Sequence, residues 1–126
     1  MIEQFLRDTA TAPFAWGQND CALWCASAVH HMTGIDPAAD LRGTYSSWVE
    51  CRQIIMTAGG LEALIAPRME CLNLPPLDRQ GVAIVQTGGR RLCGIVKGDF
   101  VAVRTEMGVN LIRDFQIQRG WSWFKH

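Results

Sequence analysis

The chain has no long hydrophobic run, no paired cysteines, few histidines and no excess of either charge. Each shortage removes a class of function. No stretch approaches 18 apolar residues, so no membrane span is expected. Met1-Ile2-Glu3-Gln4 is acidic and lacks the basic start and apolar run of a secretory leader. Twelve Lys and Arg balance twelve Asp and Glu. The basic residues are scattered, and Arg90-Arg91, the one adjacent pair, falls beside an expected hairpin turn. No global field therefore draws the chain to nucleic acid or anionic lipid. Cys21, Cys25, Cys51, Cys71 and Cys93 make an odd count of five without a CxxC pair. That pattern suits neither a disulfide scaffold nor a zinc site. Cys21 and Cys25 share a helix face, but no His or Cys cluster completes a metal shell. Reduced thiols in a protein made or assembled in the cytosol are expected, with no metal and no cofactor.

What remains is the composition of one globular domain. At 126 residues, with 48% apolar and 19% charged residues, the chain is long enough for one hydrophobic core and is read as a single domain over 1–126. Apolar spacing predicts a short helix over Ile2 to Thr9. Asn19-Asp20 gives a start signal and Gly34 a stop, so residues 20–33 form a second helix. Its sequence is apolar on nearly every side, which makes it the central buried helix. A third helix is expected from Ser46 to Ala58, with Trp48, Cys51, Ile54 and Ile55 on one face. A short fourth follows over Leu61 to Ala66, and Pro67 to Pro76 is a connector. The period then changes. Val82 to Val85, Leu92 to Lys97, Phe100 to Thr105 and Val109 to Ile112 read as strands joined by Gly88-Gly89, Gly98-Asp99 and Met107-Gly108 turns. Helices first and antiparallel strands after make an α+β domain.

The chemically suggestive stretch is Phe14-Ala15-Trp16-Gly17-Gln18-Asn19-Asp20-Cys21. It joins a flexible glycine, a helix-capping Asp and a cysteine in the first helical turn. Unpaired N–H groups and the positive end of the helix dipole favour a thiolate there. Cys21 is thus a candidate nucleophile, set against the plainer reading of a small core residue behind an N-cap.

Trp16-Gly17-x-x-Asp20-Cys21 entering a helix resembles the nucleophile motif of NlpC-type cell-wall cysteine peptidases, which have a papain-like fold. The blocks Ile35 to Tyr45 and Gly59-Gly60-Leu61 resemble a smaller relative, a family of short proteins encoded near the tail genes of phages and prophages. The resemblance implies an NlpC-like domain with the Cys21 helix packed on the C-terminal sheet, and Cys21 near Leu92 or Cys93. It also implies a base, a His at the start of the second core strand. Leu92 of Leu92-Cys93-Gly94-Ile95-Val96-Lys97-Gly98 falls at that position. The residue that would orient the base falls near Arg104, and a guanidinium cannot accept a proton from an imidazole N–H. The usual Gly-Asp before the first strand is missing too, since Gly81 is followed by Val82. A lone cysteine is poorly activated.

No other histidine is well placed. His30 lies nine residues beyond Cys21, on the opposite helix face and roughly 14 Å up the axis. His31 fares little better, and His126 is the last residue. Five tryptophans are many for this length. Most belong in a core, but Trp121 and Trp123 alternate near the chain end and are candidates for a protein contact. Three readings follow. The first is an assembly component of a phage tail, at the tip or hub, made in the host cytoplasm and carried in the virion, on a catalytically degenerate fold. The second is an active peptidoglycan peptidase or amidase using Cys21. The third is a non-catalytic module that binds wall glycan or peptide.

Overall fold

The computed structural model describes residues 2–123. Four helices precede five strands: α1 (Ile2–Thr9), α2 (Cys21–Thr33), α3 (Trp48–Ala58), α4 (Leu61–Glu70), β1 (Gln80–Thr87), β2 (Arg90–Lys97), β3 (Phe100–Thr105), β4 (Gly108–Ile112) and β5 (Gln116–Ser122). The strands form one antiparallel sheet in the order β4-β3-β2-β1-β5. The expected α+β class is therefore present. None of the helices is long and apolar enough to cross a membrane.

Local chemistry sets the helix ends. Asp20 caps α2 and Gly34 closes it in the left-handed conformation that glycine adopts cheaply. Ser47 caps α3, while Glu50 reaches back to the Ser46 N–H. The structure departs from the sequence reading at α4, which runs through Pro67 to Glu70 instead of stopping at Ala66. Pro67 removes one internal hydrogen bond, and Met69, buried against the sheet-side core, holds the extra turn in place.

The sheet is apolar on both faces. Val82, Ile84, Cys93, Ile95 and Ala102 point toward the helices and join Trp24, Cys25, Ala28, Val29, Ile2 and Phe5 in the main core. Ala83, Val85, Val96, Val101 and Val103 form a second cluster on the other face, covered at its rim by Leu77, Leu92, Ile112 and Phe115. A third cluster, around Leu23, Ala38, Tyr45 and Cys51, seals the outer side of α2. A fifth strand, β5, is not among those expected and folds back beside β1.

Candidate functional site

The Trp16–Cys21 motif is built around Asp20. This carboxylate is 1% exposed. It accepts hydrogen bonds from the Leu23 N–H at 3.0 Å, the Gly17 N–H at 3.0 Å and the Tyr45 hydroxyl. One side chain thereby ties together the start of α2, the loop before it and the 36–45 segment. Burial, with the hydrogen bond to Asp20 next, pushes the Tyr45 hydroxyl well above its ordinary pKa. Gly17 sits at φ 81°, and a Cβ there would overlap the Tyr45 carbonyl oxygen. Gly17 is therefore required both for its backbone conformation and for the close approach. Its own carbonyl accepts from the Gly43 N–H at 2.8 Å. Trp16 meets Phe14 edge-on at 4.9 Å and Trp48 at 5.6 Å.

Cys21 follows this cap and points at the sheet. Its thiol donates to the Cys93 carbonyl at 3.0 Å. The β2–β3 ladder pairs Lys97 with Phe100, Val96 with Val101 and Ile95 with Ala102, and then stops. Carried one step further along the same face, that register would pair Cys93 with Arg104. The thiol instead engages the Cys93 carbonyl. The side chain thus occupies a gap where the two strands part.

This setting reverses the expectation of a thiolate. Burial is the largest influence on the Cys21 thiol and pushes it up to about 12, with the Asp20 carboxylate adding to the rise. The residue as a whole keeps some exposure, but its sulfur is bonded inward. Burial likewise holds Cys25 and Cys93 well above the ordinary thiol range. A helix N-terminus favours the anion by only a modest amount, and here desolvation outweighs it.

Leu92 and Arg104, the positions at which the resemblance would put a base and its orienting residue, have structural places. Leu92 does not face Cys21. It lies at the rim of the cluster on the opposite sheet face, and its neighbour Cys93 points toward α2. Adjacent strand residues face opposite ways, so the position opposite Cys21 belongs to Cys93, and it too lacks an imidazole. Arg104 is buried, and its guanidinium donates to the carbonyls of Thr9 at 3.1 Å, Ala10 at 3.4 Å and Ala12. It satisfies carbonyls at and beyond the end of α1. His30 and His31 are exposed in the last turn of α2, with His31 beside Phe5 at 5.6 Å. His126 lies outside the described residues.

Two expectations about tryptophan are corrected. Trp121 and Trp123 are 6% and 5% exposed and belong to the main core, because β5 pairs with β1 and presents them to the helices. Trp48, grouped with Cys51, Ile54 and Ile55 on one face of α3, is 52% exposed. Sequence reasoning missed Tyr45 as the partner of Asp20. Its one available signal was that it is the single tyrosine in the chain. All five cysteines are free thiols. Among the described residues no cluster of three or more His, Cys, Asp or Glu side chains could hold a metal ion.

No curated protein and no solved structure matches the chain. One protein-family model does, over residues 1–123, and it describes a domain of unknown function, DUF6950. Covering nearly the whole length, that match makes the chain a member of the DUF6950 family.

Proposed function

We propose that this domain is a non-catalytic structural component of a phage or phage-like tail, built on a degenerate NlpC-like, papain-type fold. It would assemble in the host cytoplasm with tip or hub proteins and travel in the virion tail. The observation that carries the non-catalytic half is the state of Cys21. Its sulfur is a hydrogen-bond donor to a backbone carbonyl, is desolvated, and among the described residues has no imidazole partner. A nucleophile needs a lowered pKa or an adjacent base, and among the described residues neither is present. The tail half is carried by the resemblance of the Trp16–Cys21 and Ile35–Tyr45 blocks to the small tail-associated proteins.

A second reading has one observation in its favour. An open groove runs between the Ala10–Trp16 loop and the β3–β4 turn, with Phe14, Trp16 and Met107 on its walls and Arg104 among its lining. Apolar walls with polar groups between them suit a peptide or glycan ligand, so contact with peptidoglycan would be made there, without cleavage.

The test combines chemistry and assembly. Purified protein is expected to release no muropeptides at neutral pH. Particles carrying Cys21→Ala should assemble and infect as the unmodified ones do, whereas deletion of the gene should yield defective tails. Cleavage that vanishes in Cys21→Ala would overturn the non-catalytic reading. Normal infective tails from the deletion would overturn the structural one.

A further inference from the structure

The two edges of the sheet are finished differently. Along β5 the outer edge is occupied at its C-terminal half. The Leu77 N–H donates to the Gly120 carbonyl at 3.3 Å and the Ser122 N–H to the Pro75 carbonyl at 2.9 Å, with a Pro76–Trp121 bridge between them. The rest of β5 carries Arg119, paired with Glu70 at 2.6 Å and Glu62 at 3.6 Å. β4 has none of this. Its sequence, Gly108-Val109-Asn110-Leu111-Ile112, contains no charge and no proline, and its ladder with β3 runs without a bulge. Among the described residues no backbone group outside the sheet pairs with its outer side. Leu111 is 65% exposed, and Met107 in the preceding turn is 94% exposed. Proteins that keep a sheet edge solitary protect it with charge, proline, bulges or a cover, and β4 lacks every one of these.

We infer that the free edge of β4 pairs antiparallel with β4 of a second copy of this chain. Two features select this occupant. The first is the parity of the strand. Thr105 and Gly108 bracket a two-residue turn, so Val103–Asn110 and Val101–Ile112 are the bonded pairs within the hairpin. The amides and carbonyls of Val109 and Leu111 therefore face outward. The second is self-complementarity. A two-fold axis through Asn110 sets Leu111 of each copy opposite Val109 of the other, on the face where Val109 already joins the main core. Beyond Arg113 the chain bends away, and the Asp114 carbonyl accepts from Thr87 Oγ1 at 2.8 Å, which leaves the edge open. This pairing stands on the strand alone and does not depend on the tail assignment. A five-residue ladder buries far less than the roughly 800 Å² per partner of a standard interface, so a weak, concentration-dependent dimer is expected.

Sedimentation velocity on the full chain, from micromolar into low millimolar concentration, should show a reversible species of twice the 14.0 kDa protomer mass. Leu111→Lys should raise the dissociation constant about tenfold or more, and Ile117→Lys on the other edge should leave it unchanged. In a Cys71→Ser background, Asn110→Cys faces its own symmetry mate and should cross-link to a covalent dimer under copper-catalysed air oxidation. A chain that stays monomeric throughout overturns the inference. So does a dimer that survives Leu111→Lys and fails to cross-link at residue 110, or association that appears only when a different protein is added. Should Leu111→Lys melt at lower temperature, the residue-110 cross-link decides alone.

Discussion

Helices α2 and α3 begin and end alike, yet they are held by different means. Each has a side-chain N-cap, Asp20 or Ser47, and each ends on a left-handed glycine, Gly34 or Gly59. α2 buries Leu23, Trp24, Cys25, Ala26, Ala28 and Val29, whereas α3 buries only Cys51. α3 leaves Trp48, Val49 and Met56 exposed outward. On its inner side an apolar cavity of about 70 Å³ lies between Ile54 and Ile55 and the facing Leu23, Ala26 and Ile65. Caps mark where a helix starts and stops. Burial decides whether it can be removed.

The contrast can be broken at several strengths. Trp24→Ala in α2 empties the centre of the main core and deletes the Nε1 bond to Thr9 Oγ1. It should cost about 3–5 kcal/mol and leave little folded protein by circular dichroism at 37 °C. Asp20→Ala should come next, at about 2–3 kcal/mol by urea titration, because the Gly17, Leu23 and Tyr45 donors lose a buried charged acceptor together. Cys21→Ala and Ser47→Ala should each cost about 1 kcal/mol, the first through a small void and the second through a lost exposed cap. Trp48→Ala should shift the midpoint least, within about 0.5 kcal/mol. A Trp48→Ala loss as large as that of Trp24→Ala would erase the distinction between the two helices.

The thiols give a pH counterpart. Cys21 is raised in the folded state to about 12, and Cys25 and Cys93 are raised as well. In the unfolded chain such thiols ionise near about 8.5. The stability they confer is therefore fully present below that value and is lost as pH rises from it toward the folded values. Thermal midpoints should be flat in this respect up to about pH 8.5 and fall above it, less steeply in Cys21→Ala. Iodoacetamide at pH 8 should modify the exposed Cys71 and spare Cys21 until denaturant is added. Preferential alkylation of native Cys21 would contradict its protonated state.

Much of this architecture was legible in the sequence because it is local. Asp20 and Gly34 bracket α2, and the glycine turns separate β1 through β4, where short-range chemistry fixes the outcome. The errors fall where the outcome is set at long range. Leu92-Cys93-Gly94-Ile95 is continuously apolar, so no alternation in it says which residue faces the helices. A one-residue ambiguity exchanged Leu92 for Cys93. Trp121 and Trp123 could be placed only by knowing that β5 returns beside β1. The state of Cys21 depends on where β2 and β3 part, which no spacing around residue 21 encodes. Tyr45 reaches Asp20 across 25 positions of chain.

The Gly17 peptide, wedged against the Tyr45 carbonyl and bonded through Asp20, bears on how hydrolases are recognised by pattern. Tryptophan, glycine, aspartate and cysteine each answer here to a demand of shape: a ring to stack, a backbone without a side chain, a cap, and a small group to fill a parting between strands. What the strand some seventy residues downstream offers the sulfur is a backbone carbonyl.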